Sequence, residues 1–413
     1  MAQQAEEKTL VQGTAPPVPG HYWVWLGGVL LSLLGSQIMA FGMTWIAAEG
    51  GGALAGLVLT AITLPRVLLL LLGGALADRI GPWRIMITAD VTMAVATILL
   101  GGALLLLGTR PGLLLAAAFV IGVVDAFYLP SSGSMPRRLV PDESLPRAMS
   151  ARQVIGQLAA FVGPSAGGLV VATAGLAAAA FANAGTFAVM AFVLVALRPR
   201  ALRAAPPPAP GGTVLRQAAD GLRVAWTDPL LRPALALTAV AAGFLLPVSG
   251  MLVALLAHQR HWTTRTGGVL AGAIALGMVG VAVLVTVRGV LRRPGSAAAV
   301  GLVVAAAGTL ALALAPTAQA AVGAAAVVGV GSGLFSTHIG PLILGGSPAG
   351  HLSRLQSVLV LTQSVPLLLA NNALGTLTDA TTASTVLVIC SVVLASTAAL
   401  ALTSPPLRTT TPT

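Results

Sequence analysis

The 413-residue chain has little charge, a single lysine, a single cysteine and few aromatics. Charged residues make up 8% of it, against about 25% in a soluble protein. That is too little to wet the surface of a water-borne globule, so lipid must be the solvent over most of the chain. The only lysine, Lys8, lies in the N-terminal tail, which excludes a phosphate-binding lysine loop and with it ATP-driven pumping by this chain. The lone cysteine, Cys390, excludes an intrachain disulfide and a cysteine metal cluster. His258 and His261 stand alone as a pair, so no metal or other cofactor is expected. What is abundant is Ala, Gly, Leu and Val, the small and apolar residues that let helices pack closely in lipid.

A helix needs roughly 20 apolar residues to cross a bilayer. Twelve runs meet that length: 22–48, 54–77, 85–107, 112–133, 151–174, 176–197, 230–257, 267–287, 296–315, 318–343, 354–377 and 382–403. The division between the fifth and sixth rests on "TAG", ending at Gly175. The first run is read as a retained helix, since no small-residue cleavage site precedes it. The fold class is therefore an all-α membrane protein of twelve spans in two six-helix bundles. A tail (1–21) precedes the first bundle (22–197). A linker (198–229) joins it to the second (230–403), and a short tail (404–413) follows. Within the linker, three prolines and two glycines prevent a continuous helix, and an amphipathic stretch, Leu215 to Trp226, is expected on the membrane surface.

Loop charge predicts the orientation. With the N-terminus inside, 18 of the 22 basic residues fall in inside segments and 3 (Arg110, Arg260 and Arg265) in outside ones; Arg66 lies within a span. The positive-inside rule then places both ends in the cytoplasm. The net charge of +11 reads as a topology signal and an attraction to anionic lipid, not as a nucleic-acid footprint. The halves also echo each other. Pro141, Leu145, Arg147 and Ser150 share a spacing with Pro348, Leu352, Arg354 and Ser357, 207 residues later, and Gly168 and Gly375 keep the same offset. Half the chain length is the offset of a duplicated six-helix unit, one of the transporter designs.

"GGALADRIGPWR", Gly73 to Arg84, joins the second and third runs. Its small residues allow close approach of another helix, and Gly81 and Pro82 break the chain direction. Asp78 can accept hydrogen bonds from a neighbouring helix N-terminus, and Arg79 can bridge to another acid. The bland reading is a polar turn with a local ion pair. The stretch resembles the signature of the major facilitator superfamily between helices two and three: Gly74, Leu76, Ala77, Asp78, Arg79 and Gly81 match, while Pro82 and Trp83 replace its usual basic residues and Arg84 stands one position on. "GPSAGG", with Gly163, Pro164, Gly167 and Gly168, is similar to the core of the helix-five motif of that family's drug–proton antiporters, with Ala159 where a glycine is usual. The segment 122–153 resembles the exporter branch that includes siderophore and macrolide efflux proteins. The resemblance implies a twelve-helix secondary transporter that exports a small amphipathic compound by alternating access, driven by protons. It implies a monomer in a bacterial plasma membrane, with no catalytic residues.

Ionisable residues inside the runs are few and expensive in lipid, so each needs a partner, a water cavity or a role. Asp125 is the first candidate for proton coupling and Asp90 the second. Asp125 carries a competing structural reading, a pairing with Arg79 or Arg84. Arg66, mid-span, reads as a structural or field-setting charge. Glu49 and Asp379 lie toward run ends. The resemblance implies that the first, fourth, seventh and tenth helices line a central cavity. Candidates there are Gln37, Met43, Trp45, Phe244, Met251, Phe335 and His338. Asn371 and Asn372 are expected to hydrogen-bond between helices. Two alternatives remain: uptake of a metabolite, and a membrane-embedded lipid flippase or enzyme.

Overall fold

The computed structural model describes residues 17–197, 228–289, 291–345 and 352–409. Eleven helices are long and apolar enough to cross a membrane. One of them, Asp142–Ala196, is two: at Gly175 the backbone turns to φ 77° and ψ 175°, where only glycine sits without strain. The crossings are therefore twelve, with the division where "TAG" predicts it. They are α1 (Gly20–Glu49), α2 (Gly52–Ile80), α3 (Pro82–Leu107), α4 (Pro111–Leu139), α5 (145–174), α6 (176–196), α7 (Leu231–Gln259), α8 (Thr264–Arg288), α9 (Pro294–Leu314), α10 (Ala318–Gly345), α11 (Leu352–Ala380) and α12 (Ala383–Thr403). The linker residues 198–227, including Leu215 to Trp226, and Pro348 of the repeated spacing lie outside the described residues.

Several helices outrun their apolar windows at the end that carries Gly20 and Thr403, hereafter the near face. α3 begins at Pro82, not 85, because proline suits a first helical position. α4 continues to Leu139, not 133, with Arg137 and Arg138 in its last turn, where cations favour the helix dipole. α5 begins at Leu145, ahead of 151. Charge ends the apolar window sooner than it ends the helix. Between α2 and α3 the turn is a single residue, Gly81 at φ 94°.

α7 is broken. Its α-helix stops at Phe244, and a π-helical turn, Val248–Leu252, precedes a final segment, Val253–Gln259. Pro247 sits at that break, where its ring removes one backbone donor. Packing divides by face. Toward the far face one continuous apolar core draws on both halves, from Met39 and Leu104 to Leu256 and Leu312. Toward the near face the first half keeps a separate core around Tyr22, Trp25, Met86, Met135 and Leu194.

Candidate functional site

The paired charges come first. Pro65 lies inside α2, and Gly122 of α4 is close against it and the Ile62 carbonyl. A side chain at 122 would overlap that carbonyl, so glycine is what lets α4 approach. One turn along α4, Asp125 faces Arg66, with Oδ2 to Nη1 at 4.0 Å. Both side chains are about one third exposed, at 29% and 34%. Asp125 thus meets Arg66 and not Arg79 or Arg84, which are exposed at the near face. The sequence sets Arg66 and Asp125 59 residues apart, so only the fold reveals them as a pair. Asp90 lies elsewhere, fully buried beside Met93, Val124 and Phe187, and neither of its carboxylate oxygens finds a hydrogen bond. Tyr128, one turn beyond Asp125 on α4, is within electrostatic reach of both acids and of Arg152.

Three cavities follow. The first, about 290 Å³, lies between the halves. Gln37, Phe41 and Thr44 of α1 and Pro164 of α5 face Ser249 and Val253 of α7 and Met278 of α8. The break in α7 therefore opens onto it. The second, about 200 Å³, lies inside the second half and includes Phe335, Ser332 and Gln363. The third, about 480 Å³, is lined by Arg66, Leu70, Leu129, Pro130, Val360 and Ser364, between α2, α4 and α11.

Gln37 and Phe335 line cavities as expected of them, and Pro164 of the helix-five stretch joins Gln37. Met43 and Met251 are core residues, 1% and 0% exposed. Phe244 packs against that core without lining any of the three cavities. Trp45 is buried against the His258 ring at 4.2 Å. His338 is buried too; its Nε2 accepts from the Leu291 N–H at 3.3 Å. Phe41, Thr44, Ser249 and Met278 went unselected. Phe41 and Thr44 were within reach: they stand four and seven residues after Gln37, on the same helix face.

At the far face the halves touch along two seams. α2 meets α11, where Asn372 Nδ2 donates to Thr60 Oγ1 at 2.7 Å. Asp379 accepts there from the backbone N–H groups of Gly52 and Ala53, at 2.6 and 2.8 Å. α5 meets α8, where Ser165 Oγ donates to the Gly268 carbonyl at 3.3 Å and Gly168 lies against Gly268. Beside this seam, His258 Nε2 donates to the Trp45 carbonyl at 3.1 Å.

The model of the Major Facilitator Superfamily matches residues 25–371. The chain belongs to that superfamily. Its fold is shared by a solved peptide-transporter (POT) family member in complex with 5-aminolevulinic acid, with a TM-score of 0.75 over 92% of this chain and 96% of that one at 12% identity. A nucleoside transporter, NupG, shares it with a TM-score of 0.70, 12% identity and coverage of 92% and 99%. Among curated relatives, the multidrug efflux pump Tap of Mycolicibacterium fortuitum is 27% identical over 252 residues, covering 60% of this chain and 61% of that protein. The Streptomyces coelicolor "probable actinorhodin transporter" is 28% identical over 167 residues, covering 38% of this chain and 28% of its own length. The chain thus matches less than two thirds of the length of these relatives.

Within the superfamily frame, the signature stretch occupies the near-face end of α2 and its turn into α3, with Arg79 and Arg84 exposed. The side chain of Asp78 and the position of Gly74 lie outside the described ones. In the helix-five motif, Gly163 and Gly167 sit against α1, at Gln37 and Ile38, while Gly168 meets α8 of the other half. Gly375, offset from Gly168 by 207 residues, makes the matching contact with Gly52 on the other seam.

Proposed function

We propose that the chain is a proton-coupled exporter of a small amphipathic compound that works by alternating access. The observation that carries this reading is the first cavity: mostly apolar walls from both halves, with the polar ends of Gln37, Thr44 and Ser249 to fix orientation. The far-face seams lie beyond it. Superfamily membership supplies rocking of the halves about such a midplane site. The relatives named as a multidrug efflux pump and an actinorhodin transporter support export of drug-like or secondary-metabolite molecules. The working form is a monomer in a bacterial plasma membrane with both ends in the cytoplasm, and the transport cycle breaks no covalent bond. The far face is then the outside.

Asp125 is the coupling acid. It faces a cation, borders water-accessible space, and its loss of charge would free Arg66. Asp90, sealed in packing, is the second proton-binding candidate. The Asp78–Arg79 turn holds the near face shut in the opposite state.

The test is transport by inside-out vesicles that contain the protein, using a lipophilic dye that fluoresces in lipid. Acidifying the lumen is expected to drive dye into it. Asp125→Asn should abolish the effect of the pH gradient, and Asp78→Asn should slow transport while leaving insertion intact. Dye movement in the opposite direction, or movement indifferent to the gradient in the unaltered protein, would overturn the reading.

A further inference from the structure

α2 begins without a cap of its own. Its first helical residue, Gly52, follows Gly50 and Gly51, and no side chain at Gly51 accepts the free N–H groups. Other helices of this chain supply theirs locally. Thr263 accepts from Thr266 at the start of α8, Thr382 from Thr385 at the start of α12, and Asp228 from Leu230 and Leu231 at the start of α7. Loss of such a cap weakens a helix start measurably. For α2 the acceptor comes from 327 residues away, in the other half: the Asp379 carboxylate takes both Gly52 and Ala53 N–H groups.

Charged acceptors on a helix N-terminus make strong hydrogen bonds, favoured also by the helix dipole. Here those bonds exist only while the far face is closed. The same side of α11 carries the rest of the contact. Gly375 lies one turn before Asp379, backbone against backbone with Gly52, and a side chain at either glycine would overlap the other's carbonyl. Asn372 bonds Thr60 further along.

We propose that Asp379 is the gating residue of the far face: the trans-helix cap that sets the balance between far-closed and far-open states of the transporter. Gly51–Gly52 has no side chain that could cap α2 when the halves part, so opening hands both N–H groups to water. This makes closure conditional on α11 and keeps the two states close in free energy. The inference rests on the two-state rocking proposed above but not on substrate, direction or coupling ion.

The experiment places spin labels at exposed far-face positions of each half, Thr109→Cys and Gln319→Cys, with Cys390 replaced by alanine. Distances are read by pulsed electron resonance in lipid nanodiscs, without substrate. Two charge-assisted hydrogen bonds lost to water predict at least a tenfold rise in the long-distance population for Asp379→Ala. Asp379→Asn, which keeps one carbonyl oxygen to accept, should fall between. Thr60→Ala, which removes the neutral bond of the same seam, should shift it less than Asp379→Ala. An unchanged distribution in Asp379→Ala overturns the proposal, and so does an Asp379→Asn distribution identical to the unaltered one. If Asp379→Ala fails to insert, Asp379→Asn alone decides by the same readings. A shift in distances with no dye transport by the unaltered protein would sink the exporter reading and leave the gate standing.

Discussion

Where α2 meets α11, the far face is held by a carboxylate on a helix end and an asparagine–threonine bond. Where α5 meets α8, it is held by glycine on glycine with one long serine bond. The two seams stand in corresponding places of a duplicated architecture, and Gly168 and Gly375 mark the same point in each. They have diverged in chemistry. Backbone contact between small residues gains dispersion energy over a broad surface and tolerates sliding. Hydrogen bonds to a helix N-terminus are made or lost within a small displacement. We infer that the α5–α8 seam acts as the bearing and the α2–α11 seam as the catch.

The largest effect that could break this comparison is steric. Gly168→Val and Gly375→Val each place atoms where another backbone already runs. Overpacking of this kind costs about 1–3 kcal/mol, so both should lower the far-closed population by about tenfold or more in the same spin-label measurement. If only one does, the two seams do not close together. A smaller effect should follow Asn372→Ala, which removes a neutral hydrogen bond worth about 1 kcal/mol. A shift of a few fold toward the far-open state is expected. The smallest should come from Ser165→Ala, whose bond is long at 3.3 Å. Its distances and dye-transport rate should stay within twofold of the unaltered protein. A Ser165→Ala effect larger than that of Asn372→Ala would reverse the assignment of catch and bearing.

The spans were legible because lipid demands about twenty apolar residues per crossing and the chain obeys. Even the Gly175 division could be read, from a glycine where a reversal needs positive φ. Helix ends at the near face were legible only as far as the apolar window, since Arg137, Arg138 and Leu145 belong to helices that have left it. Helix faces were harder. These helices are apolar nearly all round, so no 3.6-residue pattern distinguishes a cavity wall from a lipid contact or a core. Met43 and Met251 look no different in sequence from Met278, yet only Met278 borders the first cavity. Polar residues were better guides: Gln37 lines the cavity and Asn372 bonds between helices. Partners at long separation could not be read at all. Asp125 with Arg66, and Asp379 with the start of α2, depend on which helices the fold sets side by side.

Alternation of the halves about a central cavity is the claim on which the rest depends, and a reversible cross-link across the catch tests it most directly. Thr60 and Asn372 are hydrogen-bonded at 2.7 Å, so cysteines at both positions, with Cys390 replaced by alanine, lie close enough to be joined when the far face is closed. The account predicts that oxidation stops dye transport and that reduction restores it, with each single-cysteine control unaffected. Transport at full rate by the fully cross-linked protein would contradict it.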